Sequence, residues 1–477
     1  MSDPSRPSTG RIAQLAGRVT GGRVQLPSSL AQLRGSETAK AAGLAGSMIA
    51  NNLLALISTI VFARLLKNNQ GGGYGSLAAL VSYFLILSVV GQALQVATAR
   101  EAVLGELGVG HGLMDTVKRW TRGLLAFTVL LAIVSVLARN PIANAVGVKQ
   151  DQWAAALGLP AAGLWLELSV LRGVLQGIGD YKGVGLSLIG EQGTRLVTGA
   201  VLAAVGLSVT GAYLGTPLSF IAMGFYCVRR LRRHVNELES STHGATDAAG
   251  TAPGLLAHVR RAWAPIGGLI VIAVLQNIDI IAAKHRFSTS QDTSYAAVAV
   301  AAKVLIWVAM GAGYYLVPEV SRRRADGEDP RPILVKALAI VAVCAVPVLA
   351  IYAFGGHTLI RLAFGADKTS AAGSLPVLGL AFTVLAATYL AIQYLLALRR
   401  TWFLAAVAVV AILEPILLLN ASHRPTSFAA VVLAIQAVGA IVAFGFALAP
   451  DRREPVTRTR PGPMDRSSSD RVPEPVV

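Results

Sequence analysis

The 477-residue chain is 54% hydrophobic and only 14% charged, with a net charge of +17 and a mean hydropathy of +0.59. Soluble domains carry roughly 25% charged residues, and no soluble core buries this much apolar surface, so the composition excludes a soluble fold. The two cysteines, Cys227 and Cys344, lie inside apolar runs and the seven histidines are scattered, so neither a disulfide framework nor a metal or other cofactor is expected.

Residues 1–40 are polar, basic and rich in Gly, Pro and Ser, and read as a cytoplasmic basic tail. They lack the apolar run of ~7–15 residues that a secretory signal needs. Ile12, Leu15, Ala16 and Val19 are spaced for a short surface helix, the alternative reading. A spanning helix takes ~20 mostly apolar residues. Twelve are predicted, at 41–63, 76–97, 122–138, 153–171, 184–205, 208–228, 264–283, 296–317, 333–354, 375–398, 402–420 and 427–449. The fold class is therefore an all-α polytopic membrane protein.

Lys and Arg in the loops orient it. With the N-terminus inside, the inward loops, tails and adjoining helix ends hold 31 of the 42 basic residues and the outward loops 9. Both termini are expected in the cytoplasm, on the inner face of the plasma membrane. The basic balance then reflects topology and calls for no nucleic-acid partner.

Six helices (41–228) precede the longest loop, 229–263, and six (264–449) follow it. The loop opens RRLRRH and continues through a Ser/Thr/Gly/Ala-rich stretch with the composition of a flexible linker. Residues 450–477 are Pro-, Ser- and Arg-rich and read as a disordered cytoplasmic tail. YGSLAALV at Tyr74 and YAAVAVAA at Tyr295 are 221 residues apart, and the same shift places Trp402 on Tyr181. With six helices on each side in one orientation, this predicts two parallel repeat lobes around a central cavity.

Ionisable groups inside spans are functional candidates by default. Asp279 and Lys303 fall on consecutive helices, ~7 and ~11 Å below the outer surface at a rise of ~1.5 Å per residue. They are a structural pair or a site, and both readings stay open. Glu191 and Arg195, four apart, share a helix face. Glu414 precedes Pro415 near mid-membrane and has no partner evident from sequence. Asp279, Glu414 and Glu191 are the candidate ion-coupling groups. Asn51, Asn52, Gln92, Gln95, Gln276, Asn277 and Gln393 add uncharged donors and acceptors. GGGYG at 71–75 and GVGHG at 108–112 follow no strand, and no G-x-x-x-x-G-K-[ST] occurs. Any transport would therefore draw on a gradient or a separate partner.

ARLLKNNQGGGYGSLAAL at 63–80, LRGVLQGIGDYKG at 171–183, the 276–319 hairpin ending Pro318-Glu319, and AFGADK at 363–368 carry a resemblance. The chain resembles the oligosaccharide flippases, annotated polysaccharide biosynthesis proteins, of the multidrug/oligosaccharidyl-lipid/polysaccharide exporter superfamily, over roughly 41–449. The resemblance implies two six-helix lobes about a cavity that opens alternately to each side. It implies a lipid-linked oligosaccharide on polyprenyl diphosphate as substrate and no catalytic residues. Membrane lipids, a polysaccharide polymerase and glycosyltransferases would be its partners. Arg64 matches the family's Arg after helix one and Lys303 its helix-eight lysine. With Arg195, Asn51, Asn52, Gln276 and Asn277 they form the candidate substrate-binding set. Twelve helices depart from the fourteen of the lipid II flippases, and the first outer loop lacks the acidic residue common before Tyr-Gly.

Three alternatives remain, one of them a scaffold for polysaccharide assembly, since binding and transport use similar surfaces. A drug or cation antiporter of the same superfamily would favour carboxylates and aromatics, but Arg64, Arg195 and Lys303 offset Asp279, Glu191 and Glu414 here. A membrane glycosyltransferase or polymerase would need acidic groups on a sizeable outer loop. Loop 64–75 has none, and loop 355–374 has only Asp367.

Overall fold

The computed structural model describes residues 28–66, 73–108, 110–241, 263–398 and 400–449. Every regular element among them is helical. The possible surface helix at 12–19 and the C-terminal tail lie outside the described residues. So does 242–262 of the predicted linker. The linker's start is helical instead: α8 continues to Ser241, because RRLRRHVNEL lacks any breaker.

The helices run α1 (Ser28–Leu65), α2 (Gly73–Val103), α3 (His111–Leu137), α4 (Arg139–Val146), α5 (Gln152–Ala156), α6 (Gly158–Gly177), α7 (Tyr181–Leu202) and α8 (Ser208–Ser241). They continue with α9 (Trp263–Arg286), α10 (Thr289–Ala302), α11 (Val304–Asp326), α12 (Arg331–Phe364), α13 (Leu375–Ala397), α14 (Phe403–Leu419) and α15 (Pro425–Leu448). Ten stretches among the described residues are long and apolar enough to cross a membrane, and α14 is a shorter apolar helix. One of the ten, Tyr181–Glu237, is α7 and α8 joined through a π-turn, where Gly206 (φ 104°) lets the chain reverse. The α9 helix, 24 residues, is ~36 Å long and spans a ~30 Å hydrocarbon core. Its class is thus an all-α multi-pass membrane protein.

Local chemistry sets the ends. Pro332, Pro376 and Pro425 occupy the first or second helical position, where a missing N–H costs nothing. Asp180 caps α7 by accepting from Gly183 N at 3.0 Å. Exposed apolar side chains cover the outer surfaces. Phe354 is 94% exposed, Val343 and Ile441 73%, so these faces require lipid rather than water.

The residues group into two compact units. The first takes the described residues within Met1–Lys67, Val90–Asn144 and Lys149–Ala262; the second those within Asn68–Val89, Ala145–Val148 and Trp263–Val477. The division near 262 falls in the predicted linker, but the start of α2 groups with the second unit. In the first unit α7 packs along α8 and α1, and α6 along α3 and α8. In the second, α13 is the central helix, touching α11, α12 and α15, while α14 packs on α9 and α15. Leu385, Ala386, Leu390 and Ala391 of α13 are completely buried, as a helix enclosed on all sides requires.

The span predicted at 296–317 overlaps one apolar stretch, Thr289–Gly313, interrupted only at Lys303, which separates α10 from α11 while its backbone stays in the right-handed helical region (φ −70°, ψ −10°). Ile306 N bonds to the Lys303 carbonyl three residues back, and the Ala301 carbonyl accepts the Tyr352 hydroxyl at 2.6 Å. No proline or glycine marks the break.

Candidate functional site

The second unit holds a buried polar cluster on α9, α10, α14 and α15. Asp279 is completely buried on α9. Its Oδ1 accepts from Lys303 Nζ at 3.2 Å, and its Oδ2 from the Tyr295 hydroxyl at 3.3 Å. The Lys303 ammonium lies 5.2 Å from the centre of the Phe382 ring, a cation–π contact that partly replaces water. Phe287 and Phe428 close over Tyr295, with ring centres 5.5 and 5.3 Å from it.

Glu414, also completely buried, sits beside this pair and feels the charges of both Asp279 and Lys303. The partner missing from the sequence reading is Gln436 on α15. Its Nε2 donates to Glu414 Oε1 at 3.1 Å and to the Leu275 carbonyl at 2.9 Å. Glu414 Oε2 and Gln436 Oε1 have no hydrogen-bond partner among the described residues. With both carboxylates ionised and Lys303 charged, the cluster has a formal charge of −1. Protonation of one carboxylate, or a monovalent cation, balances it.

A polar tie closes one end of the same unit. Ser294 on α10 donates to the Lys368 carbonyl at 2.5 Å and accepts from Ala371 N at 2.8 Å, fixing the turn after α12. The buried Lys368 pairs with Asp367. Asp292 pairs with Lys284, and Gly75 of α2 approaches Asp292 so closely that a Cβ there would fall 2.8 Å from Oδ1. The glycine of the Tyr74-Gly75 signature is thus a contact requirement.

The first unit holds a second cluster. Glu191 and Arg195 pair at 2.9 Å on α7, as their spacing predicts. Arg172 of α6 lies just past the predicted end of its span at 171, yet it is completely buried. Its Nε donates to Ser187 Oγ and its Nη2 to the Ser187 carbonyl, both at 2.8 Å. Its Nη1 lies 2.9 Å from Glu191 Oε2, an ion contact without hydrogen-bond alignment.

The other predicted residues are dispersed. Asn51 donates to its neighbour Asn52 at 3.4 Å, both half-buried. Asn277 is buried and donates to its own helix at Ala273 (2.9 Å), and Gln276 is half-buried. Arg64 is exposed near the end of α1. Gln95 and Gln176 meet at 3.3 Å. No group of three or more His, Cys, Asp or Glu among the described residues is arranged to hold a metal ion.

No protein-family model and no curated protein matches the chain. Solved structures do. The chain aligns with an inward-facing multidrug resistance MATE family transporter of the MOP superfamily at a TM-score of 0.65 and 14% identity, covering 83% of this chain and 93% of that one. With the lipid II flippase MurJ in an inward closed conformation the TM-score is 0.63 at 13% identity, over 85% and 88% of the two chains. A MOP-superfamily transporter from Pyrococcus furiosus with a binding pocket of reverse polarity aligns at 0.50 and 15%, over 85% and 93%. The chain shares the fold of these MOP-superfamily transporters.

Proposed function

We propose that the chain is a secondary transporter that flips a lipid-linked oligosaccharide of the polyprenyl diphosphate type from the inner to the outer leaflet of the plasma membrane. The observation that carries the transport reading is the buried cluster of Asp279, Lys303, Tyr295, Glu414 and Gln436. It sits on spanning helices, and Glu414 beside the Asp279–Lys303 pair offers a second buried carboxylate that a proton or a monovalent cation would neutralise. Uptake of that proton or cation on one side and its release on the other would couple the cycle to a gradient. The substrate class rests on the motifs at 63–80 and 171–183, and the likeness to a lipid II flippase supports it.

In this reading 41–228 and 264–449 form two six-helix repeats that rock against each other, tethered by 229–263, with both termini cytoplasmic. Arg64, Arg195, Asn51, Asn52 and Gln276 meet the diphosphate and sugar hydroxyls. The buried Lys303 serves the ion cluster through Asp279 rather than meeting substrate directly in this conformation. A polymerase and glycosyltransferases acting on the same polysaccharide are the expected partners.

The likeness to MATE transporters favours a second reading, export of a cationic drug. Proteoliposomes separate the two. The flippase reading expects a fluorescent polyprenyl-diphosphate sugar to reach the opposite leaflet in a gradient-dependent way. Drug-driven ion flux with no lipid movement would replace it with the antiporter. Cross-linking the outer ends of the first and seventh spans is expected to stop flipping; undiminished transport in the locked protein rules out the rocking motion.

A further inference from the structure

A cavity of about 320 Å³ lies between the start of α3 and the end of α8, both in the first unit. None of the candidate substrate or ion residues lines it. His111, Asp115 and Lys118 come from α3, and Arg232 and Asn236 from α8. The buried Met114 and Val235 form its floor. Small-molecule pockets run from ~300 to ~1,000 Å³, so this one has room for a charged headgroup but not for a sugar chain.

The two helices carry the same pattern along their exposed surfaces. At 3.6 residues per turn, His111, Asp115, Lys118, Arg122 and Val129 of α3 fall within a ~60° sector. Phe225, Arg229, Arg232 and Asn236 of α8 also fall within ~60°. All of them are exposed, Val129 by 59% and Phe225 by 74%. Each stripe is apolar along the span and turns polar and basic at the end that reaches the cavity. That end lies on the face that the Lys and Arg count assigns to the cytoplasm, where anionic lipids attract basic segments.

The cavity has a surplus of positive charge. Lys118 Nζ lies 3.2 Å from Asp115 Oδ1, whereas Arg232 makes no ion pair among the described residues. Gly110 gives α3 no side-chain cap, so the first-turn N–H groups add a partial positive charge at the same end. We propose that this cavity binds the phosphate headgroup of an anionic phospholipid, with its acyl chains along the apolar stripes of α3 and α8. The Arg232 fork takes phosphate oxygens, Lys118 supplies a second charge, and the Asn236 amide donates to a remaining oxygen. Asp115 draws on Lys118 and lowers the affinity. A soluble phosphate would make no use of the apolar stripes that continue from the basic residues; a membrane phospholipid uses both.

Native mass spectrometry of the full chain in detergent, titrated with dioleoylphosphatidylglycerol, tests it. The parent is expected to retain one lipid per chain. Lys118→Gln and Arg232→Gln should each bind it about fivefold more weakly, and the double variant roughly 25-fold, the loss of one basic contact apiece. Asp115→Asn should bind more tightly, a gain that a merely structural role would not give. The substituted side chains are exposed, so melting temperatures are expected to match the parent's. Lys336→Gln, at an exposed lysine near the start of α12 on the same predicted face, should leave binding unchanged.

Parent-like affinity in the double variant overturns the proposal, as does a parent that retains no phosphatidylglycerol. Equal retention of dioleoylphosphatidylcholine overturns it too, because the headgroup charge would then play no part. An equal loss in Lys336→Gln would make the attraction diffuse and sink the site. Inorganic phosphate is the last arm: if it displaces the lipid at comparable concentration, the occupant is a soluble anion and the lipid assignment fails. None of these readouts depends on transport, so the site and the flippase reading stand or fall separately.

Discussion

Lys303 Nζ and Asp279 Oδ1, 24 residues apart in sequence, meet at 3.2 Å with both side chains buried. Removing one partner leaves the other charged with no water nearby. Asp279→Asn is expected to cost about 3–5 kcal/mol of stability. Asp279→Asn with Lys303→Met should recover much of it, because no unpaired charge is then left buried. A double-mutant cycle of unfolding in detergent measures the coupling. The exchange Asp279→Lys with Lys303→Asp is expected to restore folding but not transport, since Tyr295 and Glu414 are arranged for one polarity. Full transport by the exchanged protein would reduce the pair to a structural clasp.

Glu414→Gln should fold, because Gln436 still has a side-chain amide to bond. Without that carboxylate only the Asp279–Lys303 pair remains, and the cluster has no second acid to take up a coupling proton or cation. Transport by this variant is expected to lose its dependence on the ion gradient, measured by clamping the gradient across proteoliposomes. Dependence equal to the parent's would move the coupling site elsewhere.

Gly75→Ala places a methyl 2.8 Å from Asp292 Oδ1. The carboxylate must shift, which loosens its pair with Lys284. A loss of about 1–3 kcal/mol is expected, typical of overpacking. Asp292→Ala clears the space, so the double variant Gly75→Ala/Asp292→Ala should be no less stable than Asp292→Ala alone. Extra loss in the double variant would place the clash elsewhere.

Asp180 lies between spans and caps α7. Burial pushes its carboxyl up, but the hydrogen bond from Arg230 (2.7 Å), that from Gly183 N and the Arg230 charge outweigh it. They hold the carboxyl below the usual carboxylate range. A folded-state value below the unfolded one stabilises at pH above the unfolded value, about 4, and that stability fades as pH falls through the folded value. Arg230→Gln removes the chief opposing contact. Hydrogen exchange at the start of α7 should then accelerate at a higher pH than in the parent. Identical pH profiles would show that Arg230 contributes nothing there.

The sequence carried the apolar runs plainly: the predicted spans fall on helical stretches, although 153–171 and 296–317 each straddle two consecutive helices and 184–205 runs into the π-turn. It also carried Asp279 with Lys303 and Glu191 with Arg195, because a charge in an apolar run is conspicuous and depth or i, i+4 spacing supplies its partner. Arg172 was hidden because an arginine at the end of a run looks like a loop residue. Only the fold turns it back against Ser187. Tyr295 and Gln436 were silent because uncharged polar residues in a span are usually interhelical contacts. Gln436 did leave a trace, as the only Asn or Gln in its span. The break at Lys303 left none, since no proline or glycine accompanies it and the run stays apolar on both sides.

That break gives the helix two arms with unequal fastenings. The arm before residue 303 is stitched down by Asp292, Ser294 and Tyr295, each with a polar partner on another segment. The arm after it runs from Val304 to Asp326 and ends at Gly327 (φ 77°). Residue 303 itself is clasped to Asp279. That later arm is fastened mainly by packing: Leu305, Ile306, Ala309 and Leu316 are buried, and Arg324 donates to the Leu398 carbonyl at 2.7 Å. A substitution at residue 303 therefore acts where polar ties on one side give way to apolar packing on the other.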